Sequence, residues 1–160
     1  MVTIRAETHV DAPTERVFDL ARSIDLQHET SSEGTRPVAG AVSGLATPGE
    51  STVWQVPLLG KRFELTTKVS AFSRPNHFRQ TMKEGPLDTF VHDHFFAFED
   101  EDAVDGTMLR DVVTFASPLG PVGRVFDRAV ERRFTRVLRE RNEFIKRVAE
   151  GDEWRRYIEE

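Results

Sequence analysis

Apolar and polar side chains alternate along much of this chain, and a two-residue period is the pattern of a β-strand with one face on a core. The first such segment is residues 3–10, whose predicted inward positions are Ile4, Ala6, Thr8 and Val10. The alternation returns after residue 50 in five further segments, which are residues 52–58, 61–72, 78–82, 90–99 and 107–116. Because short turns separate these segments, the sequence predicts an antiparallel meander. Residues 30–50 are rich in Ser, Gly, Thr and Pro and predict only one more strand, near 36–42.

Two other regions repeat their apolar residues every three or four positions, as an amphipathic helix does. The first, residues 11–27, contains Pro13 where a first helical residue is tolerated, and it predicts a short helix with a second turn or two near 24–27. The second covers about 27 residues, or roughly 40 Å, and predicts one long C-terminal helix that ends near Gly151. Its repeating positions are Val122, Val125, Phe126, Ala129, Val130, Phe134, Val137, Leu138, Arg141, Phe144, Ile145 and Val148.

Length and composition narrow the class of protein. The 160 residues fit one domain, which we place at residues 1–150, followed by a C-terminal tail at 151–160. The net charge of −5 argues against a nucleic-acid partner, and there is no cysteine to act as a nucleophile or metal ligand. We find no apolar run of membrane-span length and no signal-peptide pattern, and therefore expect a cytoplasmic protein. Trp154 and Tyr157 leave two alternatives for the tail, a homodimer contact or a frayed end.

Four stretches give the chain a resemblance to a known family. They are residues 7–26, the pair Gly85 and Pro86 that leads into 90–99, residues 106–123, and the terminal helix. In these stretches the chain resembles the START-related SRPBCC superfamily of polyketide cyclases/dehydrases and lipid-transport proteins. The resemblance implies an α+β helix-grip fold, in which a curved antiparallel sheet of about seven strands wraps around a long C-terminal helix and two short helices follow strand 1. It also implies an apolar tunnel between sheet and helix, and no cofactor is expected.

The segment 90–98 carries the candidate chemistry. The residues that alternation places inward are Phe90, His92, His94, Phe96 and Phe98 on this strand, and Leu109, Asp111, Val113 and Phe115 on the next. If the hairpin is symmetric about residues 102 and 103, His94 lies opposite Asp111. A carboxylate beside an imidazole fixes its tautomer and raises its basicity, so the pair is a candidate acid/base dyad.

Three roles remain open for these residues at this stage. A buried His–Asp pair most often satisfies its own polar groups or orients a ligand, because an unpaired buried charge costs several kcal/mol. The second role is catalytic. The third is a metal site in which Asp111 joins His92 and His94, although nothing else in the sequence supports a metal and we predict none.

We predict from the sequence that the protein binds a small hydrophobic or aromatic ligand, such as a lipid, polyketide or steroid-like molecule, in the tunnel. The predicted ligand-binding residues are Trp54, Gln80, His92, His94, Phe96, Asp111 and Phe115. The alternative is a polyketide cyclase or dehydratase with His94 and Asp111 as catalytic residues, in which His94 removes a proton next to a ketone.

Overall fold

A computed structural model describes residues 1–31, 34–58, 60–101 and 104–158. Among them are seven strands, which are β1 (Val2–Val10), β2 (Arg36–Gly40), β3 (Ser51–Leu58), β4 (Lys61–Ser73), β5 (His77–Glu84), β6 (Thr89–Glu101) and β7 (Val104–Ala116). The three α-helices are α1 (Thr14–Ala21), α2 (Ile24–Thr30) and α3 (Arg124–Glu150), and short 3-10 helices lie at Gly120–Gly123 and Glu153–Arg156. The predicted order of elements is therefore confirmed.

All strands belong to one curved antiparallel sheet, in the order β1-β7-β6-β5-β4-β3-β2. The meander β2 to β7 follows the chain, and β1 returns to pair with β7 because α1 and α2 carry the chain from one edge of the sheet to the other. This arrangement wraps the sheet around α3, as the helix-grip fold requires.

The long helix α3 forms because residues 124–150 contain neither glycine nor proline and repeat an apolar stripe, and Gly151 follows its last turn. Its deeply buried positions include Val130, Leu138, Ile145 and Val148. The predicted stripe is wrong at its beginning, where Val122 is 90% and Val125 83% exposed. The helical period identifies a face, but only the surrounding elements determine how much of that face is covered. None of the helices in the described ranges is long and apolar enough to cross a membrane.

The register of the central strands positions the candidate site. His94 on β6 is the partner of Asp111 on β7, as the symmetric hairpin predicted, and His92 is the partner of Gln80 on β5. The prediction that Phe98 points into the core is wrong, since Phe98 is 60% exposed. Strand β6 extends beyond Phe96, which is buried, so that the alternating pattern of side chains continues to Phe98, where no other element covers the sheet.

The C-terminal segment packs on the domain rather than fraying. Trp154 and Ile158 are buried in the same core cluster as Phe18 of α1 and Ile145 of α3. Tyr157 donates a hydrogen bond to Glu29 at the end of α2, and partial burial together with that carboxylate raises the pKa of Tyr157 to about 12. The boundary between a domain at 1–150 and a tail at 151–160 stays a prediction, but the apolar residues of the tail contribute to the core.

Candidate ligand-binding site

A cavity of about 170 Å³ lies between the concave face of the sheet and α3. Most of its wall is apolar and comes from β3, β4 and α3, with contributions from Trp54, Val56, Leu65, Val69, Phe134 and Leu138. Ile24 and Ala46 close one side, where backbone hydrogen bonds tie the loop after β2 to the beginning of α2. The region of residues 30–50, in which the sequence predicted only one strand, therefore forms part of the cavity wall.

The structure brings four of the predicted ligand-binding residues to the cavity wall, which are Trp54, Gln80, His92 and His94. Asp111 lies behind the two histidines and has no exposed side-chain surface. Phe96 and Phe115 are on the predicted face but do not line the cavity. Phe96 packs under Phe18 of α1 at a ring-centroid distance of 5.0 Å, and Phe115 belongs to the core cluster around Val130 and Leu138. The alternating pattern assigned Phe96 and Phe115 to the correct face of the sheet. It could not show which helix covers each part of that face.

Two residues of α3 complete the polar cluster, and the sequence analysis assigned them no function. Arg141 is only 3% exposed, and its Nη1 lies 3.4 Å from Oδ1 of Asp111. Asn142 donates from Nδ2 to Oδ2 of Asp111 at 2.7 Å. The sequence did contain an indication that Arg141 is functional, because this residue occupies a position of the apolar stripe between Leu138 and Ile145. A charged residue at such a position requires a buried partner.

The cluster has a consistent set of donors and acceptors. His92 donates from Nε2 to Oδ1 of Asp111 at 2.7 Å. With Oε1 of Gln80 accepting at 3.0 Å, the proton of His94 lies on Nε2. Nδ1 of His94 then accepts from Nη2 of Arg141 at 3.3 Å, while it also lies 3.2 Å from Oδ1 of Asp111. His94 therefore carries a single proton in this network and is neutral.

Aromatic stacking fixes the orientation of both imidazoles. The rings of His92 and His94 stack with centroids 3.7 Å apart, and Phe78 stacks on the other side of His94 at 4.0 Å. Because Phe78 is fully buried, the His94 ring is held between two planes and cannot turn freely. The polar end of the cavity is thus rigid before any ligand arrives.

Comparison with known proteins agrees with this architecture. A profile of the family described as polyketide cyclase / dehydrase and lipid transport matches residues 1–150. The chain belongs to this family. No curated protein matches the sequence.

Solved structures show the same fold as this family member at low sequence identity. The protein TTHA0849 from Thermus thermophilus has a TM-score of 0.68 at 19% identity, covering 90% of this chain and 97% of its own. A START superfamily protein from Mycobacterium smegmatis has a TM-score of 0.67 at 12% identity, covering 92% and 97%. The ginseng major latex-like protein 151 from Panax ginseng has a TM-score of 0.64 at 9% identity, covering 94% and 98%. These similarities establish the START-type helix-grip fold.

Within this family member, burial controls the protonation of the cluster. Burial lowers the pKa of His92 and, together with the charge of Arg141, lowers the pKa of His94 well below its usual value of 6.5. Burial alone would raise the pKa of Asp111, but the hydrogen bond from His92 and the charge of Arg141 hold it well below 3.8. Asp111 acts on His94 in the expected direction, because its negative charge raises the pKa of His94, but burial outweighs this effect and the net shift is downward.

The guanidinium of Arg141 also disfavours metal binding at this cluster. Ligand atoms of His92, His94 and Asp111 lie within 4.8 Å of one another, which is the spacing of a metal site. Arg141 already donates to the carboxylate oxygen that would face the ion, and its positive charge would repel a cation at that point. We therefore assign these three residues to a hydrogen-bonded cluster.

Proposed function

We propose that this protein binds a small, largely hydrophobic ligand in the cavity between the sheet and α3. The observation that carries the proposal is the composition of the cavity wall. It is apolar over most of its area, while a rigid polar cluster reaches it through Gln80, His92 and His94. Apolar sites with a few fixed polar groups are typical of small-molecule binding, because the apolar wall provides affinity and the polar groups fix the orientation.

Binding is favoured over catalysis by the state of His94. A general base needs a ring nitrogen that can take a proton from the substrate, and a pKa near the working pH. Both nitrogens of His94 contact protein groups, and the pKa of His94 is well below its usual value. These features suit a fixed wall of a binding site better than the cyclase or dehydratase reaction of the alternative.

A first test is native mass spectrometry of the purified protein, followed by denaturation and identification of any released compound. A co-purifying apolar molecule would support the proposal and define the ligand class. The same spectra report whether the chain forms the homodimer that the sequence left open. A cytoplasmic location stays a prediction from the sequence.

Filling the cavity should abolish binding without damaging the fold. We expect Val56→Phe, on the cavity wall, to weaken binding of a neutral two-ring fluorescent probe such as 1-aminonaphthalene by about tenfold or more, because the added ring occupies ligand volume. The matched control is Val91→Phe, which makes the same change on the opposite face of the sheet. Equal affinities of the two variants, measured by fluorescence titration, would contradict a ligand site in this cavity.

Replacement of His94 separates the two candidate functions. If the protein is a binder, His94→Gln should change the affinity for the probe by no more than about threefold, since glutamine keeps a donor and an acceptor at this position. If it is a cyclase or dehydratase that uses His94, turnover of a polyketone substrate should fall by about a hundredfold or more while binding is retained. Detection of such turnover in the wild-type protein would refute the binding-only proposal.

A further inference from the structure

We infer that the ligand is an uncharged compound of one or two rings that carries a hydroxyl group, held by Gln80 and His92 at the inner end of the cavity. This inference rests on the proposed function and specifies the chemical class of the ligand. It follows from the charge balance of the polar cluster, from two polar atoms of cavity-lining side chains that the cluster does not use, and from the size of the cavity.

The cluster has no charge left to pair with a charged ligand. The negative charge of Asp111 is balanced by Arg141, and both histidines are neutral. All four terminal N–H groups of Arg141 have acceptors. Nη1 donates to Asp111 at 3.4 Å and to Asn142 at 3.1 Å, and Nη2 donates to the Ala21 carbonyl at 2.9 Å and to His94 at 3.3 Å. A ligand carboxylate at this end would lose its hydration and find no cation in exchange.

Two uncharged polar atoms remain for a ligand. Oε1 of Gln80 is used by His94, and Nε2 of His92 is used by Asp111. For the other polar atom of each side chain, the amide nitrogen of Gln80 and Nδ1 of His92, the described part of the chain provides no hydrogen-bond partner. One is a donor and the other an acceptor, and the two residues are cross-strand neighbours on the cavity wall. A hydroxyl group matches this pair because it accepts and donates at once.

The size of the cavity limits the apolar part of the ligand. An apolar cavity of about 150 Å³ holds a benzene ring, whereas drug-sized ligands occupy about 300–1,000 Å³. The cavity here is about 170 Å³. A ligand with one ring, or with two fused rings, fits this volume. Besides Arg141, the charged residues that line the cavity are Arg22, Glu50 and Arg133. Arg22 is paired with Asp19 at 2.9 Å, and Arg133 lies about two helical turns before Arg141 on α3, away from the polar cluster.

The test compares three ligands that share one ring system, namely 2-naphthol, 2-methylnaphthalene and 2-naphthoate, by displacement of the two-ring fluorescent probe 1-aminonaphthalene, which is uncharged at neutral pH. We expect 2-naphthol to bind about three- to tenfold more tightly than 2-methylnaphthalene, which lacks the hydroxyl group. We expect it to bind about a hundredfold more tightly than 2-naphthoate, which must bury a charge. In Gln80→Met the preference for 2-naphthol over 2-methylnaphthalene should shrink toward unity, while the control Thr81→Val, on the other face of the same strand, should keep it.

The possible results distinguish a wrong ligand class from a wrong proposed function. Equal binding of 2-naphthol and 2-methylnaphthalene, or tightest binding of 2-naphthoate, would overturn the inference and leave the proposed function standing. Failure of the probe and of all three compounds to bind would overturn the proposed function, and the inference with it. If Gln80→Met does not fold, as judged by circular dichroism, the order of affinities of the three ligands for the wild-type protein still tests the inference.

Discussion

Replacement of Arg141 by methionine is expected to lower the free energy of unfolding by about 3–5 kcal/mol. Methionine matches much of the volume of the arginine stem but leaves the carboxylate of Asp111 buried without its cation. The side chain of Asp111 has no exposed surface, so water cannot replace the lost guanidinium without disrupting the core. The variant also removes the donor to the Ala21 carbonyl, which holds the end of α1 against α3. Urea unfolding followed by tryptophan fluorescence measures the change.

Two further variants show whether the cost comes from the buried charge. Arg139→Met makes the same substitution at an exposed position of α3 and should change stability by less than about 0.5 kcal/mol. The double variant Arg141→Met with Asp111→Leu removes both charges and should recover most of the loss, since an apolar replacement of a buried ion pair is often neutral. If Arg141→Met is no more damaging than Arg139→Met, the pair does not stabilise the fold in the way we argue.

The second large effect is a loss of stability as the pH falls from 7.5 toward 5. Burial keeps His92 and His94 neutral in the folded protein, with the pKa of His94 well below 6.5. In the unfolded chain the same imidazoles take up protons below about pH 6.5. The unfolded state therefore binds more protons in this range, and stability falls with decreasing pH by up to about 1.4 kcal/mol per pH unit for each such histidine. Asp111, whose folded pKa is lowered, loses its contribution only at more acidic pH, as the pH falls through that value.

Urea unfolding at several pH values, in wild type and in His94→Gln, provides the measurement. His94→Gln should reduce the slope of stability against pH, because one of the two titrating groups is gone. The exposed His9 serves as the control. Hydrogen bonds to Asp11 and Glu99 raise its pKa, so its contribution is present at low pH and is lost as the pH rises through that value. His9→Gln should therefore not reduce the slope. A wild-type stability that is constant between pH 7.5 and 5 would contradict the neutral, buried state of both histidines.

Much of the site was predictable because a β-strand has a period of two. Counting from a predicted turn at 102 and 103, which lie outside the described residues, was enough to place His94 opposite Asp111, and the structure has that pairing. The same counting placed Gln80 and Trp54 on the cavity side. It could not separate Phe96 and Phe115 from the cavity-lining residues, because α1 and α3 cover parts of that face and leave the rest open.

The sequence alone determined the order of elements and the antiparallel register at the candidate site, because hydrophobic periodicity and turn spacing are local properties of the chain. The family was indicated by the resemblance of four stretches to its members, and the family profile over residues 1–150 confirms it. Only the tertiary structure decided the chemistry of the site. Arg141 meets Asp111 across 30 residues of sequence, and burial of the whole cluster outweighs the effect of the carboxylate on the pKa of His94. Such an electrostatic balance depends on burial and on distances between different elements, and neither quantity is a property of any single segment.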